Sequence, residues 1–505
     1  MSSSKGTQEQ ADPIVLSSMM PTTGQGRLEA SRPEGWADVS LRVLDFGPIA
    51  RGAVVLKPLT LLVGPNNSGK SYAAMLLHSL FETRPPDRDV FGHEPELESQ
   101  YEPPPPGQQW DLPQEFVTRV VRRHMEERWE VPLSNEISRL MASPLAELVR
   151  IGRSSFRLQI TSDGSTAELV YAGGPALALK GAVARRMTFH LKGLEYNGHE
   201  IEIRRREKGE YDVAFYWPGS AGIHVAHRRH LVGEVAEYII GIAFSSLSRP
   251  CYYLPAARSG ILQGHRALAA GLVRMAPYAG IKPMEVPGFS GVVADFISGI
   301  LTLSERRRGL CEVAERFERD VMQGEIALRV PQQDLPTEIR YRYCETDIPL
   351  HRSSSTVSEL APLILYLKYV LEPGGVLIVE EPEAHLHPAN QRAMAKLLVE
   401  CVRKGLCVVV TTHSDWLVQQ LSNFIMLSQL ESRAVARKCG YSRDLYLRPD
   451  EVGAYVFSRE RRGHGHKIDS IEVAAEGIPE DEFLRIHEAL YEETVAIERD
   501  LFGGS

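Results

Sequence analysis

Residues Gly64 to Ser71, GPNNSGKS, have the types and the spacing that a phosphate-binding loop requires. They fit the pattern G-x-x-x-x-G-K-[ST], in which backbone N–H groups converge on phosphate oxygens and glycines remove obstructing side chains. Lys70 brings a positive charge to the β- and γ-phosphates, and the Ser71 hydroxyl can ligate Mg²⁺. An apolar strand before the loop and an apolar-faced helix after it complete the expected context. The sequence therefore predicts a phosphate-binding site made of Gly64, Pro65, Asn66, Asn67, Ser68, Gly69, Lys70 and Ser71.

Two adjacent acidic residues, Glu380 and Glu381, end a second apolar run in GGVLIVEEPEAHLHP, residues 374–388. Because side chains alternate along a strand, the two carboxylates should point to opposite sides. We interpret Glu380 as a ligand of Mg²⁺, through water, and Glu381 as the group that polarises the attacking water. An acidic pair can also be a solvated strand end. Together with the distant loop, however, the pair predicts that ATP is bound and hydrolysed.

His413 follows a third apolar strand in VVVTTHSDW, residues 408–416. A histidine here can contact the γ-phosphate and couple hydrolysis to closure of the site. In the alternative interpretation, Ser414 caps the next helix and His413 is incidental. The place of His413 in the series of motifs favours the functional interpretation.

The order of four segments carries a family resemblance. GPNNSGKS at 64–71, HRSSSTVSEL at 351–360, VEEPEAHLHP at 379–388 and TTHSDW at 411–416 stand in the order of an ABC-type ATPase head. Over about residues 38–83 and 345–430 the chain resembles the SMC/RecF/OLD-like branch of these P-loop ATPases. The resemblance implies ATP and Mg²⁺ as cofactors and a head-to-head dimer that encloses two nucleotides.

The same resemblance assigns roles in the dimer. The signature serine, which in the family contacts the γ-phosphate bound by the opposite protomer, falls within Ser353–Ser355, and Ser354 and Ser355 are the candidates for nucleotide binding. Glu383 and His385 match a turn at the dimer seam. The usual LSGG is absent, and Thr356 stands where a small glycine is expected, which leaves the serine unassigned among the three.

Two residues between the segments at 64–71 and 351–360 each allow two interpretations. Gln263 is a candidate for the glutamine that the family places at a strand end, or it is a surface residue. Arg258 lies in YYLPAARSG, residues 252–260. It contacts a phosphate or a partner, or it makes a structural ion pair.

The segment YYLPAARSG also looks like part of bacterial ATPases of this branch, many of which lie in phage-defence operons. The resemblance thus implies a regulatory ATPase that acts with a separate effector protein. The alternative is a RecF-like ATPase in DNA repair or recombination, with DNA as a candidate partner. Basic runs would then contact phosphates, although a solvated charged face is the commoner explanation of such runs. These runs are 204–206, 228–230, 306–308 and 459–467. We find no acidic cluster for a two-metal nuclease after the ATPase strands.

The elements that must position these residues are predicted from periodicity. Val376–Val379 and Cys407–Val410 are wholly apolar, as strands buried in a parallel sheet are, and a helix opens at Pro388 between them. This βαβ unit predicts an α/β fold with a parallel-sheet core. A helix over 357–371 is expected as well, with Thr356 and Glu359 at the spacing of a capping box. The middle of the chain is expected to form an inserted α+β lid domain.

Six parts of the chain are predicted. They are a disordered tail at 1–35, the first part of the head with the loop at 36–83, a linker and lid at 84–250, a mainly helical segment returning to the head at 251–344, the second part of the head at 345–430, and a strand–helix extension at 431–505.

Composition limits the class of protein. The net charge of −8 and the pI near 6.1 exclude a global basic field for nucleic acid. The six cysteines have no zinc-ligand spacing, and no stretch approaches the roughly 20 apolar residues of a membrane span. We therefore expect a cytoplasmic protein without a membrane partner.

Overall fold

The computed structural model describes most of the chain in separate ranges. These are residues 39–83, 109–110, 114–184, 194–196, 199–205, 213–216, 225–264, 289–304, 306–329, 338–430, 434–442, 444–460, 464–479, 492–493 and 495. The predicted tail lies outside them.

The described strands are β1 (Val39–Phe46), β2 (Ile49–Val55), β3 (Leu59–Val63), β4 (Gln109–Trp110), β5 (Phe156–Ser162), β6 (Ser165–Tyr171), β7 (Ala178–Ala184), β8 (Leu194–Tyr196), β9 (His199–Arg205), β10 (Val213–Tyr216), β11 (Cys251–Leu254), β12 (Glu325–Arg329), β13 (Glu338–Tyr343), β14 (Thr346–Pro349), β15 (Val376–Glu380), β16 (Cys407–Thr412), β17 (Val452–Arg459) and β18 (His466–Ile471).

The described α-helices are α1 (Lys70–Glu82), α2 (Gln114–Trp129), α3 (Val131–Met141), α4 (Val225–Ala243), α5 (Gly291–Leu301), α6 (Cys311–Phe317), α7 (Ser355–Tyr369), α8 (Pro388–Arg403), α9 (Asp415–Ser428) and α10 (Ala434–Lys438). None of these helices combines the length and the apolar character that crossing a bilayer requires.

An 11-stranded sheet with the order β11-β15-β16-β3-β17-β18-β2-β1-β5-β6-β7 carries the motifs. Its first five strands run parallel to one another. Strands β3, β15 and β16 are buried along their whole length, as expected for parallel strands with both faces covered. Helix α8 connects the neighbouring parallel strands β15 and β16 as the predicted βαβ unit. The α/β fold with a parallel-sheet core is confirmed.

Helices cover both faces of these parallel strands. Helix α1 shares a hydrophobic core with one set of alternating strand residues, which includes Ile378 and Val409. Helices α7, α8 and α9 share a second core with the intervening set, which includes Leu377 and Val408. Because side chains alternate along a strand, the two cores lie on opposite faces of one sheet.

The middle of the chain contributes to this same sheet. Strand β5 pairs with β1, and β6 and β7 follow it in antiparallel order, so that three strands assigned from the sequence to a lid extend the head. Strands β4, β10, β9 and β8 form a separate four-stranded sheet, and β12, β13 and β14 form a three-stranded one. The domain boundaries given above remain a prediction.

Candidate nucleotide site

The loop from Gly64 to Gly69 joins β3 to α1 and depends on backbone conformations that side chains disfavour. Gly64 has φ 144°, Asn67 φ 59° and Gly69 φ 101°. A Cβ atom on Gly64 would lie 2.6 Å from the carbonyl oxygen of Phe457 in β17. Glycine is thus needed both for the positive φ and for the close approach of the loop to the neighbouring strand. The pattern seen in the sequence has the strand–loop–helix context that it requires.

Lys70 begins α1 and is 6% exposed. Its Nζ donates hydrogen bonds of 2.8 Å to the carbonyl oxygens of Gly64 and Pro65. Burial lowers the pKa of Lys70 to about 8, against the attraction of Glu381, Glu380 and Glu383. The buried ammonium group is thus incompletely compensated by the three carboxylates. An anion brought to Nζ would favour the charged form of Lys70 and would be held by it. A phosphate group is such an anion.

Glu380 is the last residue of β15, two positions after Ile378, and its side chain therefore lies on the α1 face. Oε2 accepts a 3.2 Å hydrogen bond from the Ala256 amide. Oε1 is buried and accepts no hydrogen bond within the described part of the chain. The Tyr253 hydroxyl lies nearby, since the Glu380 carboxylate adds to the effect of burial in raising the tyrosine pKa.

An orphaned carboxylate oxygen fits a hard cation. Mg²⁺ bound together with nucleotide phosphates takes one or two carboxylates and keeps several waters. The described residues contain no cluster of three or more His, Cys, Asp or Glu ligands, and this kind of site does not need one. Glu380, with the Ser71 hydroxyl in the first turn of α1, fits the group.

Glu381 follows in a left-handed conformation, φ 42°, which is uncommon for a residue with a side chain. Its amide donates to the carbonyl oxygen of Thr411, 2.9 Å away, at the end of β16. Its Oε1 lies 3.4 Å from Nε2 of His413. The hydrogen bond from His413 lowers the pKa of Glu381, and the charges of Lys70 and Arg258 act in the same direction while burial opposes them. The carboxylate is thereby kept ionised, as a group that accepts a proton from water must be.

Glu383 holds the chain around His413. Its Oε1 accepts hydrogen bonds from the Thr412 hydroxyl at 2.5 Å and from the His413 amide at 2.9 Å. Burial raises the pKa of Glu383. The Ser414 hydroxyl accepts from the Leu417 amide and caps α9. Ser414 thus caps the helix, as one interpretation of this segment has it, and His413 faces Glu381; contact of His413 with a γ-phosphate stays a prediction.

The signature-like segment begins α7. Ser354, not the expected Thr356, is the N-cap, and its hydroxyl accepts from the Val357 amide. Ser353 donates to the Leu350 carbonyl at 2.6 Å and is half-buried, whereas Ser354 and Ser355 are exposed. The Thr356 hydroxyl instead reaches the carbonyl of His385, 3.3 Å away. The capping-box spacing fails because the Glu359 carboxylate is bonded elsewhere.

Arg258 is the residue with which the Glu359 carboxylate interacts. Its guanidinium forms a 2.9 Å ion pair with Glu359, and both side chains are almost fully buried. The structural interpretation of Arg258 is therefore the one that the geometry supports. Glu359 was not singled out as a functional residue from the sequence, although a glutamate within the apolar run VSELAPLIL was a usable signal. Gln263 lies exposed in the helical segment 258–264.

Comparisons with known proteins agree with the class that this site defines. Residues 308–418 match the family model described as AAA ATPase domain, and this segment contains Glu380, Glu381 and His413. This segment is therefore similar to an AAA ATPase domain, and the phosphate-binding loop at 64–71 lies outside the matched residues. A search of curated proteins found no match.

Three solved SMC heads are similar at low scores. A head bound to the C-winged helix domain of ScpA has 11% identity and TM-score 0.38, covering 86% of this chain and 98% of its own. A head from Pyrococcus furiosus, bound to the C-terminal domain of ScpA, has 11% identity and TM-score 0.37, with coverages of 90% and 99%. The head from Thermotoga maritima has 12% identity and TM-score 0.32, with coverages of 87% and 100%.

Proposed function

We propose that two copies of this chain close head to head around two ATP·Mg²⁺ and that hydrolysis reopens the dimer. The observation that carries the proposal is the pairing of Glu381 with His413 at the same sheet edge as Lys70. The ends of β3, β15 and β16 meet there because these strands are parallel neighbours. Such an edge, followed by the start of α1, is where a phosphate binds.

Each residue of the site has a distinct task in this proposal. Lys70 binds the β- and γ-phosphates, and Glu380 and Ser71 hold Mg²⁺, which neutralises charge on the phosphates. Glu381 orients the attacking water and accepts its proton. His413 fixes the Glu381 carboxylate and places its own ring beside the γ-phosphate.

The second copy supplies the remaining contact. Ser354 and Ser355 are exposed at the start of α7, a 15-residue helix whose N-terminus favours anions. Ser353 is half-buried and donates its hydroxyl hydrogen to the Leu350 carbonyl, whereas Ser354 only accepts a hydrogen bond and is exposed, as is Ser355, which leaves these two as candidates for the contact with the opposite nucleotide. The site is therefore proposed to be complete only in a dimer.

A mixing experiment tests the composite site. We expect Lys70→Met to be inactive alone and the double variant Ser354→Ala/Ser355→Ala to keep only a small, measurable residual activity. Mixing them in equal amounts creates heterodimers with one intact site, and activity should return, to about a quarter of the wild-type value if the two sites of a two-fold symmetric dimer work independently and to less if they are coupled. Ser354→Asn controls for the lost helix cap, because asparagine also caps. Absence of any restored activity, at concentrations where ATP drives dimerisation, would refute the composite site.

We also propose that the ATP-dependent dimer is a regulatory switch, as in a bacterial anti-phage defence system with a separate effector. Support comes from the resemblance of residues 252–260 and from the state of the basic runs. Among the side chains of these runs that the structure describes, Arg307 and Arg308 are paired with Glu315 and Glu372, and Lys467 with Asp469. The side chains at 204–206, 228–230 and 461–463 lie outside the described part of the chain. The described pairs favour a solvated charged face over a surface that binds DNA phosphates.

Two measurements separate these roles. Glu381→Gln purified from its native host in ATP should retain a neighbouring gene product as the effector, and ATPase turnover should be indifferent to duplex DNA. Turnover stimulated by DNA, together with direct binding that weakens steeply between low and moderate salt, would instead support the RecF-like alternative.

A further inference from the structure

A buried ion pair joins the two halves of the proposed site within one chain. Nη2 of Arg258 lies 2.9 Å from Oε1 of Glu359, and the two side chains are 2% and 0% exposed. Glu359 is in the second turn of α7, the helix that Ser354 caps. The pair therefore sits directly behind the signature-like segment.

The same guanidinium binds the main chain that carries the two acids. Its Nη1 donates to the carbonyl oxygens of Glu380, at 2.6 Å, and of Pro255, at 3.1 Å. Its Nη2 donates to the carbonyl oxygen of Glu381, at 3.2 Å. A planar guanidinium presents these donors in a fixed fork, which a lysine cannot do. The backbone at the end of β15 is thus held in register with α7.

The Glu359 carboxylate also accepts hydrogen bonds from the main chain. It accepts from the amides of Arg258 and Ser259, at 3.2 and 3.0 Å, which are the first amides of the helical segment 258–264. Arg258 Nε also donates to the Glu359 carbonyl, 3.3 Å away. If α7 is displaced along its axis, the Arg258 guanidinium must therefore move with it, or several buried hydrogen bonds must break together.

A buried pair of this kind is a costly way to stabilise a fold, because apolar residues of similar volume often serve as well or better. The ion pair instead fixes the position of α7 relative to the end of β15, two segments that would act on different nucleotides. In the proposed dimer, the start of α7 would face the nucleotide of the second copy, whereas Glu380 and Glu381 would act on the nucleotide of their own copy.

We propose that Arg258 and Glu359 are positioning residues that couple the two composite sites. The inference rests on the proposed dimer. When Ser354 and Ser355 contact the nucleotide of the second copy, α7 moves. The Arg258 guanidinium transmits this movement to the main chain of Glu380 and Glu381. Each site then hydrolyses ATP fast only when the opposite site is occupied.

The test is the ATP dependence of steady-state hydrolysis by the full chain. We expect a Hill coefficient above 1 for the wild type. Arg258→Lys and Glu359→Gln should bring it to 1 and lower kcat about 10- to 100-fold, the usual loss when a supporting residue behind a ligand is changed. Binding of a fluorescent ATP analogue should stay within about twofold of the wild type, since no group that contacts nucleotide is altered.

Controls separate coupling from loss of structure. Arg150→Lys alters another shielded pair, with Asp45, in a different part of the head, and should leave the Hill coefficient unchanged. Arg258→Met/Glu359→Met replaces the pair with apolar side chains, which buried pairs generally tolerate, so it should fold and still lack cooperativity. In the Ser354→Ala/Ser355→Ala background, Arg258→Lys should add little further loss of kcat.

Three outcomes overturn the inference. The first is a folded Met/Met variant that keeps wild-type cooperativity and kcat. The second is strict additivity of Arg258→Lys with the serine changes. The third is a wild type that neither dimerises with ATP nor shows cooperativity, and this result alone also refutes the proposed dimer.

Discussion

Nε2 of His413 lies 3.4 Å from Oε1 of Glu381, and the two residues follow neighbouring parallel strands, β16 and β15. The contact depends on the main chain on both sides. Glu381 turns into a left-handed conformation, and Glu383 holds the His413 amide. A carboxylate and an imidazole are thereby preorganised at the end of the sheet, beside Lys70, in the arrangement that the proposed base and its orienting residue require.

The first prediction concerns the base itself. Glu381→Gln removes the proton acceptor but keeps the shape of the side chain, so kcat should fall by about 10²- to 10⁴-fold. ATP should remain bound, because Lys70 and the loop are untouched, and the uncleaved nucleotide should trap a dimer. Light scattering after gel filtration in ATP·Mg²⁺ checks the mass. Glu312→Gln makes the same change at an exposed position and should behave as the wild type. A Glu381→Gln chain that turns over normally as a monomer would contradict the prediction.

The second prediction concerns the acid side of the pH profile. The hydrogen bond from His413 lowers the pKa of Glu381, so the base is lost only when the pH falls through that lowered value. His413→Ala should raise the pKa and move the acidic limb of kcat/KM to higher pH. His413→Gln keeps an N–H donor and should restore part of the shift. Profiles with the same acidic limb in all three proteins would show that the pair does not control ionisation.

The third prediction concerns ATP affinity at high pH. Phosphate binds the protonated form of Lys70, and burial places the pKa of this amine at about 8. The protonated form is lost as the pH rises through 8, so ATP affinity should fall above that point, by about tenfold for each pH unit until the pKa of the complex is reached. Titrations with a fluorescent ATP analogue from pH 6 to 10 measure this. Lys70→Arg stays charged and should remove the dependence. An affinity that is constant to pH 10 in the wild type would exclude the lowered pKa.

The fourth prediction concerns the loop backbone. Gly64→Ala adds a Cβ to a left-handed residue at 2.6 Å from the Phe457 carbonyl, and the backbone cannot yield without moving β17. We expect a loss of about 1–3 kcal/mol in the free energy of unfolding, together with weaker ATP binding. Gly374 also has a positive φ but open space around it, so Gly374→Ala isolates the cost of the conformation. Urea unfolding of both variants makes the comparison, and equal losses would show that contact with β17 is unimportant.

Much of the core and of the chemistry followed from local sequence. The types and spacing of residues 64–71 predicted a strand, a loop and a helix, and α1 begins at Lys70 as expected. Wholly apolar runs before Glu380 and before His413 predicted buried parallel strands, and β15 and β16 are such strands. These inferences succeeded because both the pattern and its cause lie within a few consecutive residues.

The antiparallel half of the sheet illustrates what local sequence did not contain. The sequence predicted an α+β lid for the middle of the chain, but the edge to which β5 adds belongs to β1, more than a hundred residues earlier. Likewise the spacing of Thr356 and Glu359 suggested a capping box. In the tertiary structure the Glu359 carboxylate forms an ion pair with Arg258, and Ser354 is the N-cap of α7.

The sequence by itself determined which residues can bind phosphate, hold a cation and accept a proton, because those capacities belong to the side chains and to their immediate neighbours. Only the tertiary structure decided which of them meet. The contacts of His413 with Glu381, of Gly64 with Phe457 and of Arg258 with Glu359 join segments far apart in the chain. Their geometry is set by strand order and by burial, which removes water as a competing partner and makes each polar group find one within the protein.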